Sequence, residues 1–150
     1  MTIEGVFSAC NLVALAGWIL LLTVPRNRRA MTIAGTVIPV TLAAIYLALF
    51  VLHARESSGG FSSLAAVAEL FNNHWLLLAG WVHYLAFDLF IGAWETRDAI
   101  ARRVPRLVLA PCLVLTFMLG PIGLLCYHIV RARTREALDG EVLAPVPKTH

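Results

Sequence analysis

An all-α, polytopic membrane protein is the fold class that three features of this sequence predict: four transmembrane helices in a bundle, with a short interfacial helix before the third. The 150 residues are 59% hydrophobic and 14% charged, where a soluble domain carries about 25% charged residues. The charges are clumped near residues 26–29, 55–56, 97–106 and 131–141. Between the clumps lie apolar runs of about 20 residues, long enough to cross a hydrocarbon core of roughly 30 Å.

The first span is expected over residues 4–24, stopped by Pro25. The second covers 31–53. The linker 54–60, ARESSGG, has the Ser and Gly content of a loop. In FSSLAAVAELF, residues 61–71, Phe61, Leu64, Ala65, Ala68 and Phe71 share one helical face. That segment is too short to span and suits a helix lying at the interface. Asn72 and Asn73 supply a break and an N-cap. The third span covers 74–100 and the fourth 105–130, with Pro111 and Pro121 inside it. Neighbouring helices in a membrane can satisfy carbonyls that proline frees. Residues 1–130 thus form one transmembrane domain, and 131–150 a polar tail whose Pro145 and Pro147 argue against order at its end. Four spans put seven Lys and Arg residues on one side and five on the other, a bias that favours both termini outside. A separate span within 61–78 would instead bring the C-terminus inside.

The net charge of +3 reflects arginines at span ends rather than a nucleic-acid footprint, so no nucleic-acid partner is expected. Cys112 and Cys126 lie fourteen residues apart; on one straight helix that is roughly 21 Å, too far for a disulfide. Glu4 stands where a signal peptide needs basic residues, so the first apolar run reads as a retained span. No phosphate loop, CxxC or HExxH is present, and neither a metal nor a cofactor is expected from motif spacing. Four histidines in one half of a bundle could in principle hold haem or a metal, although no two sit at i, i+4.

The third span carries the chemistry. Asp88 falls near its centre, where a charge costs about 2.5–3.5 kcal/mol on insertion scales, so it should face the bundle interior. His74, Trp81, Asp88 and Glu95 recur every seven residues and form one stripe. His83 is about 140° away from Asp88, on a face with Phe87, Phe90 and Trp94. By depth, Asn11, Tyr46, His53, His83 and His128 share the outer half with a polar cavity floored by Asp88. Catalytic roles are assigned to Asp88 and His83, and substrate contacts to Asn11, Tyr46, Trp81, Tyr84 and Phe87. The structural alternatives are an Asp88 bonded to Asn11, Thr36 or Thr41, and a His83 packed against a carbonyl. Glu95 and Asp98 are expected to be surface ion partners of Arg97 and Arg102.

These residues carry a resemblance. GWVHYLAFDLF, then GAWETRDA, then PCLVLTFMLGPIGLL is similar to the abscisic-acid-deficient, neoxanthin-synthase-like membrane family. The family's W-x-H-x(4)-D-L-F stretch is matched by Trp81, His83, Asp88, Leu89 and Phe90. A later aspartate is matched by Asp98, and a G-P-x-G turn by Gly120, Pro121 and Gly123. The resemblance covers most of residues 5–130. Plant members are required to make neoxanthin from violaxanthin, so it implies an apolar isoprenoid or carotenoid ligand and a possible isomerase. Without the plastid transit segment of those members, a bacterial inner membrane is the expected location. Epoxide opening to an allenic alcohol needs an acid near the oxygen and a base near a polyene carbon. Asp88 suits the acid, and His83 either the base or a group that sets the proton inventory. The alternative is a non-catalytic membrane protein that binds a pigment, haem or partner subunit. The oligomeric state is left open.

Overall fold

A computed structural model describes residues 2–143, with side chains as far as residue 134. Every regular element among them is helical: α1 (Ile3–Thr23), α2 (Arg28–Thr32), a π turn (Ile33–Val37), α3 (Ile38–His53), a short 3-10 turn (Ala54–Glu56), α4 (Leu64–Leu70), α5 (His74–Ala101), α6 (Arg106–Leu119) and α7 (Pro121–Leu143). Three stretches are long and apolar enough to cross a membrane: Ile3–Thr23, Arg28–Glu56 and His74–Ala101. Their outward faces are apolar too, with Leu12, Val40, Leu47 and Leu52 more than half exposed. Apolar surface on both sides of a helix suits lipid outside and protein inside.

The chain divides into two compact units, Met1–Trp94 and Glu95–His150. In the first, local chemistry sets the ends of the helices. Thr2 caps α1 by accepting from Gly5 N, Asn27 caps α2, and Ser63 caps α4. Asn73 Oδ1 accepts from Trp75 N at 2.9 Å and so opens α5, as its sequence position predicts. The π turn precedes Pro39, whose missing N–H and ring would disturb a regular α ladder. Helix α1 lies parallel to α5. Asn11 meets Trp81, Gly17 meets Leu89, and Trp18 lies against Gly92. Any Cβ at Gly17 or Gly92 would strike those side chains, so the two glycines set how closely the helices approach.

The second unit departs from expectation. Residues 105–130 do not make one fourth span. Helix α6 ends at Gly120, which takes φ 38°, and α7 begins at Pro121 and runs back along α6. Glycine tolerates that dihedral, and proline suits the first turn of the returning helix. Gly123 then passes so close to Thr116 that a Cβ there would collide with its backbone. The reversal brings Tyr127 and Arg131 back to Asp98, near the end of α5. Two half-length apolar segments joined by a sharp turn therefore replace a kinked crossing. The premise of a straight helix between Cys112 and Cys126 falls with it, and both are free thiols. Helix α7 continues to Leu143, while Pro145 and Pro147 lie outside the described residues.

Gly123→Ala should therefore destabilise the protein by about 2 kcal/mol or more, since overpacking against backbone has no flexible side chain to absorb it. Gly60→Ala, which meets nothing within 4 Å, is the matched control and should leave the melting temperature in detergent within error.

Candidate functional site

Asp88 lies midway along α5 and is half-buried. Its Oδ2 is buried and has no hydrogen-bond partner among the described residues. Tyr84, one helical turn earlier, hydrogen-bonds to the carboxyl. Two of the three partners that a purely structural aspartate would use, Asn11 and Thr41, are engaged elsewhere. Asn11 Nδ2 donates to Phe7 O at 2.7 Å, and its Oδ1 accepts from Trp81 Nε1 at 3.2 Å. Thr41 Oγ1 donates to Val37 O at 2.8 Å.

Tyr84 is also the inner end of an apolar groove of about 820 Å3. Its walls are Ile3 and Phe7 of α1, Phe71, and Leu77, Leu78 and Trp81 of α5, with Glu4 and His74 as polar groups. Trp81 is held from two sides: its indole donates to Asn11, and its ring lies 5.8 Å from Phe7 and 5.3 Å from Tyr84. A second cavity, about 260 Å3, is lined by Tyr46, Phe50, Phe61, Leu70, Phe71 and His83 among others. The His83 ring stacks on Phe87 at 4.5 Å and meets the edge of Tyr46 at 5.5 Å.

The structure thus sorts the predicted residues into two groups. Asn11, Trp81, Tyr84 and Asp88 belong to the large groove, directly or through one neighbour. Tyr46 and His83 belong to the small cavity, and Phe87 is an exposed residue stacked on His83. No hydrogen bond joins Asp88 to His83 among the described residues. His74 lines the groove from the stripe it shares with Trp81 and Asp88, while Glu4, Phe7, Phe71 and Gly80 line it without a direct sequence signal, except that Gly80 leaves a notch on an otherwise bulky helix face.

Two expectations need correction in the second unit. Glu95 is no surface ion partner: it is fully buried, and Thr116 Oγ1 lies 3.0 Å from each of its carboxyl oxygens. Asp98 does pair with Arg102, at 2.8 Å, but also binds Arg131 at 3.1 Å and accepts from Tyr127 OH at 2.8 Å. His128 follows Tyr127, whose hydroxyl donates to Asp98 near the end of α5. The other histidines have separate surroundings: His53 stacks on Trp75 and pairs with Glu56 at 2.8 Å, and His74 lines the groove. No three His, Cys, Asp or Glu side chains are grouped as metal ligands among the described residues.

Apolar helices of spanning length define a helical membrane protein, here with a half-buried acid one turn from an apolar groove. The chain belongs to the ABA DEFICIENT 4-like (ABA4-like) family, whose model matches residues 5–127. No curated protein and no solved structure gives a significant match. The matched stretch includes all of the groove lining except Ile3 and Glu4, together with Asp88 and the Gly120–Pro121 reversal.

Trp81→Phe keeps the ring contacts but loses the bond to Asn11. It should cost about 0.6–1 kcal/mol in thermal stability. Asn11→Ala should cost a similar amount in the same melting assay, and the double variant little more than either.

Proposed function

We propose that this protein binds an elongated isoprenoid of carotenoid type in the groove between α1 and α5, and isomerises it by proton transfer. The observation that carries the reading is the link from Asp88 through Tyr84 to the groove. A ligand in the apolar walls would rest its reactive end on the Tyr84 hydroxyl, and Asp88 would restore the proton that Tyr84 gives. A pocket of ~300–1,000 Å3 with a few convergent polar groups is the usual form of a small-molecule site. For epoxide opening, one proton goes to the oxygen as its C–O bond breaks, and one leaves a neighbouring polyene carbon. The change is redox-neutral and needs no co-reactant. His83 is assigned as the acceptor of the second proton. The separation of His83 from Asp88 supports a second reading, in which the protein holds the ligand unchanged.

The same reading sets an orientation. Three crossings, followed by a hairpin that enters and leaves on one face, put every Lys and Arg up to Arg133 on one side, except Arg55. By the positive-inside rule that side is cytoplasmic, so the N-terminus is outside and the C-terminus inside. This differs from the arrangement with both termini outside, which four complete spans would give.

Mass spectrometry of lipids purified with the protein should find an isoprenoid. Asp88→Asn and Tyr84→Phe should retain it, while turnover falls about 10²-fold or more in each. Ligand returned unaltered by the wild type would leave the binding reading alone standing; unchanged turnover in Asp88→Asn would remove the acid role. A C-terminal green fluorescent protein fusion should fluoresce and a C-terminal alkaline phosphatase fusion should be inactive. The reverse pattern would restore a complete fourth crossing.

A further inference from the structure

The large groove and the small cavity share two lining residues, Phe71 and Gly80. A Cβ built on Gly80 would lie 3.0 Å from Phe71 Cε1 and 3.3 Å from Cζ. The phenyl ring therefore rests on bare helix backbone, at the only place where both spaces reach the same point of α5 among the cavities described. We infer that Phe71 is the residue that sets the length of apolar chain the protein accepts, by closing the groove at Gly80. The inference rests on the isoprenoid reading above and deepens it.

The backbone under Phe71 is held, so the side chain is the moving part. Phe71 ends the short helix α4, whose last turn is tied down on several sides. Ser58 Oγ donates to Glu69 Oε1 at 3.1 Å, and Asn72 Nδ2 donates to Glu69 Oε2 at 2.9 Å. Gly60 N donates to Ala66 O at 3.0 Å, and Gly59 packs directly against the Leu70 backbone. Asn73, two residues on, caps α5. Rotation about the Phe71 side-chain bonds needs none of these to break. It would open a path across the Gly80 notch, from the Tyr84 side of α5 to the His83 side.

The occupant that fits is a linear isoprenoid. The groove has polar groups at its margins, Glu4 and His74 near the helix starts and Tyr84 at the inner end, with aromatic and aliphatic walls between. A chain short enough to stop at Phe71 meets only the Tyr84 side. A longer one must displace the ring and then reaches both Tyr84 and His83. The division of acid and base residues between two cavities is thereby a length filter: only a long ligand meets both.

The test measures binding of farnesol, geranylgeraniol and solanesol to the full chain in nanodiscs, by quenching of tryptophan fluorescence, for which Trp81 in the groove wall is the reporter. The wild type should show a graded preference among the three chain lengths. Phe71→Ala should change the solanesol-to-farnesol affinity ratio about tenfold in favour of the longer chain, and Phe71→Leu should shift it the same way by less. Gly80→Ala added to Phe71→Ala should move the ratio back by narrowing the notch. If the wild type binds the probes and both Phe71 variants keep its ratio, the filter is wrong and the isoprenoid reading survives. If the wild type binds none of them, both fall. The milder Leu variant decides the matter should the Ala variant fail to fold.

Discussion

The close seating of α1 on α5 at Gly17 and Gly92 is the constraint on which the first unit depends. Lipid tails are as apolar as leucine, so two helices gain little from burying leucine against each other in a bilayer. What holds them is shape. Gly17 admits Leu89, Gly92 admits the Trp18 ring, and the pair fixes both rotation and register of α5. Once that register is set, Leu89 faces α1, and Asp88 beside it buries its Oδ2 without a hydrogen-bond partner among the described residues. The same register brings Asn11 to Trp81 and leaves the groove above them. The polar centre is thus a consequence of small residues that carry no chemistry of their own.

The second unit solves a different problem with related means. Glu95 is two turns along α5 from Asp88, yet it is fully buried. An enclosed carboxyl is tolerable only with hydrogen-bond partners, and Thr116 contributes one. Thr116 can do so because the chain reverses four residues later and Gly123 leaves its backbone uncrowded. Asp98 then binds the returning helix through Tyr127 and Arg131 while holding Arg102 on its own helix. Such partly exposed ion pairs are individually weak. Gathered on one carboxylate that also accepts a tyrosine hydroxyl, they fix where the hairpin returns.

Much of this was legible in the sequence. Composition and run length gave the helical membrane class. Asn73 and Pro25 marked helix boundaries to within a few residues, because caps and prolines act locally. The fourth span misled for a physical reason. Gly120–Pro121 is compatible with a kink and with a reversal, and hydropathy is blind to direction. The clue was Gly123, since a third small residue one turn on matters only if the chain comes back against itself. Glu95 lay on the seven-residue stripe with Asp88, but proximity to the span end suggested solvent; the structure instead buries it against Thr116. Phe71 and Gly80 were unreadable in advance, because a ring resting on a glycine from another element leaves no periodic signal.

The arrangement around Asp88 also bears on what a membrane acid can do. The hydrogen bond that the Asp88 carboxyl receives comes from Tyr84, which itself lines the groove, so this contact links the carboxyl to the groove. An acid whose sole task was to join two helices would be expected to reach a group on another helix. Here the carboxyl's hydrogen bond comes from its own helix, one turn back, and Oδ2 is left without a partner among the described residues. An incompletely satisfied buried oxygen is costly, and it gives α1–α5 packing nothing that Leu89 and Trp18 do not already supply. On the proposed reading its use is chemical: to hold or pass a proton beside an apolar groove, where Tyr84 presents it to the ligand.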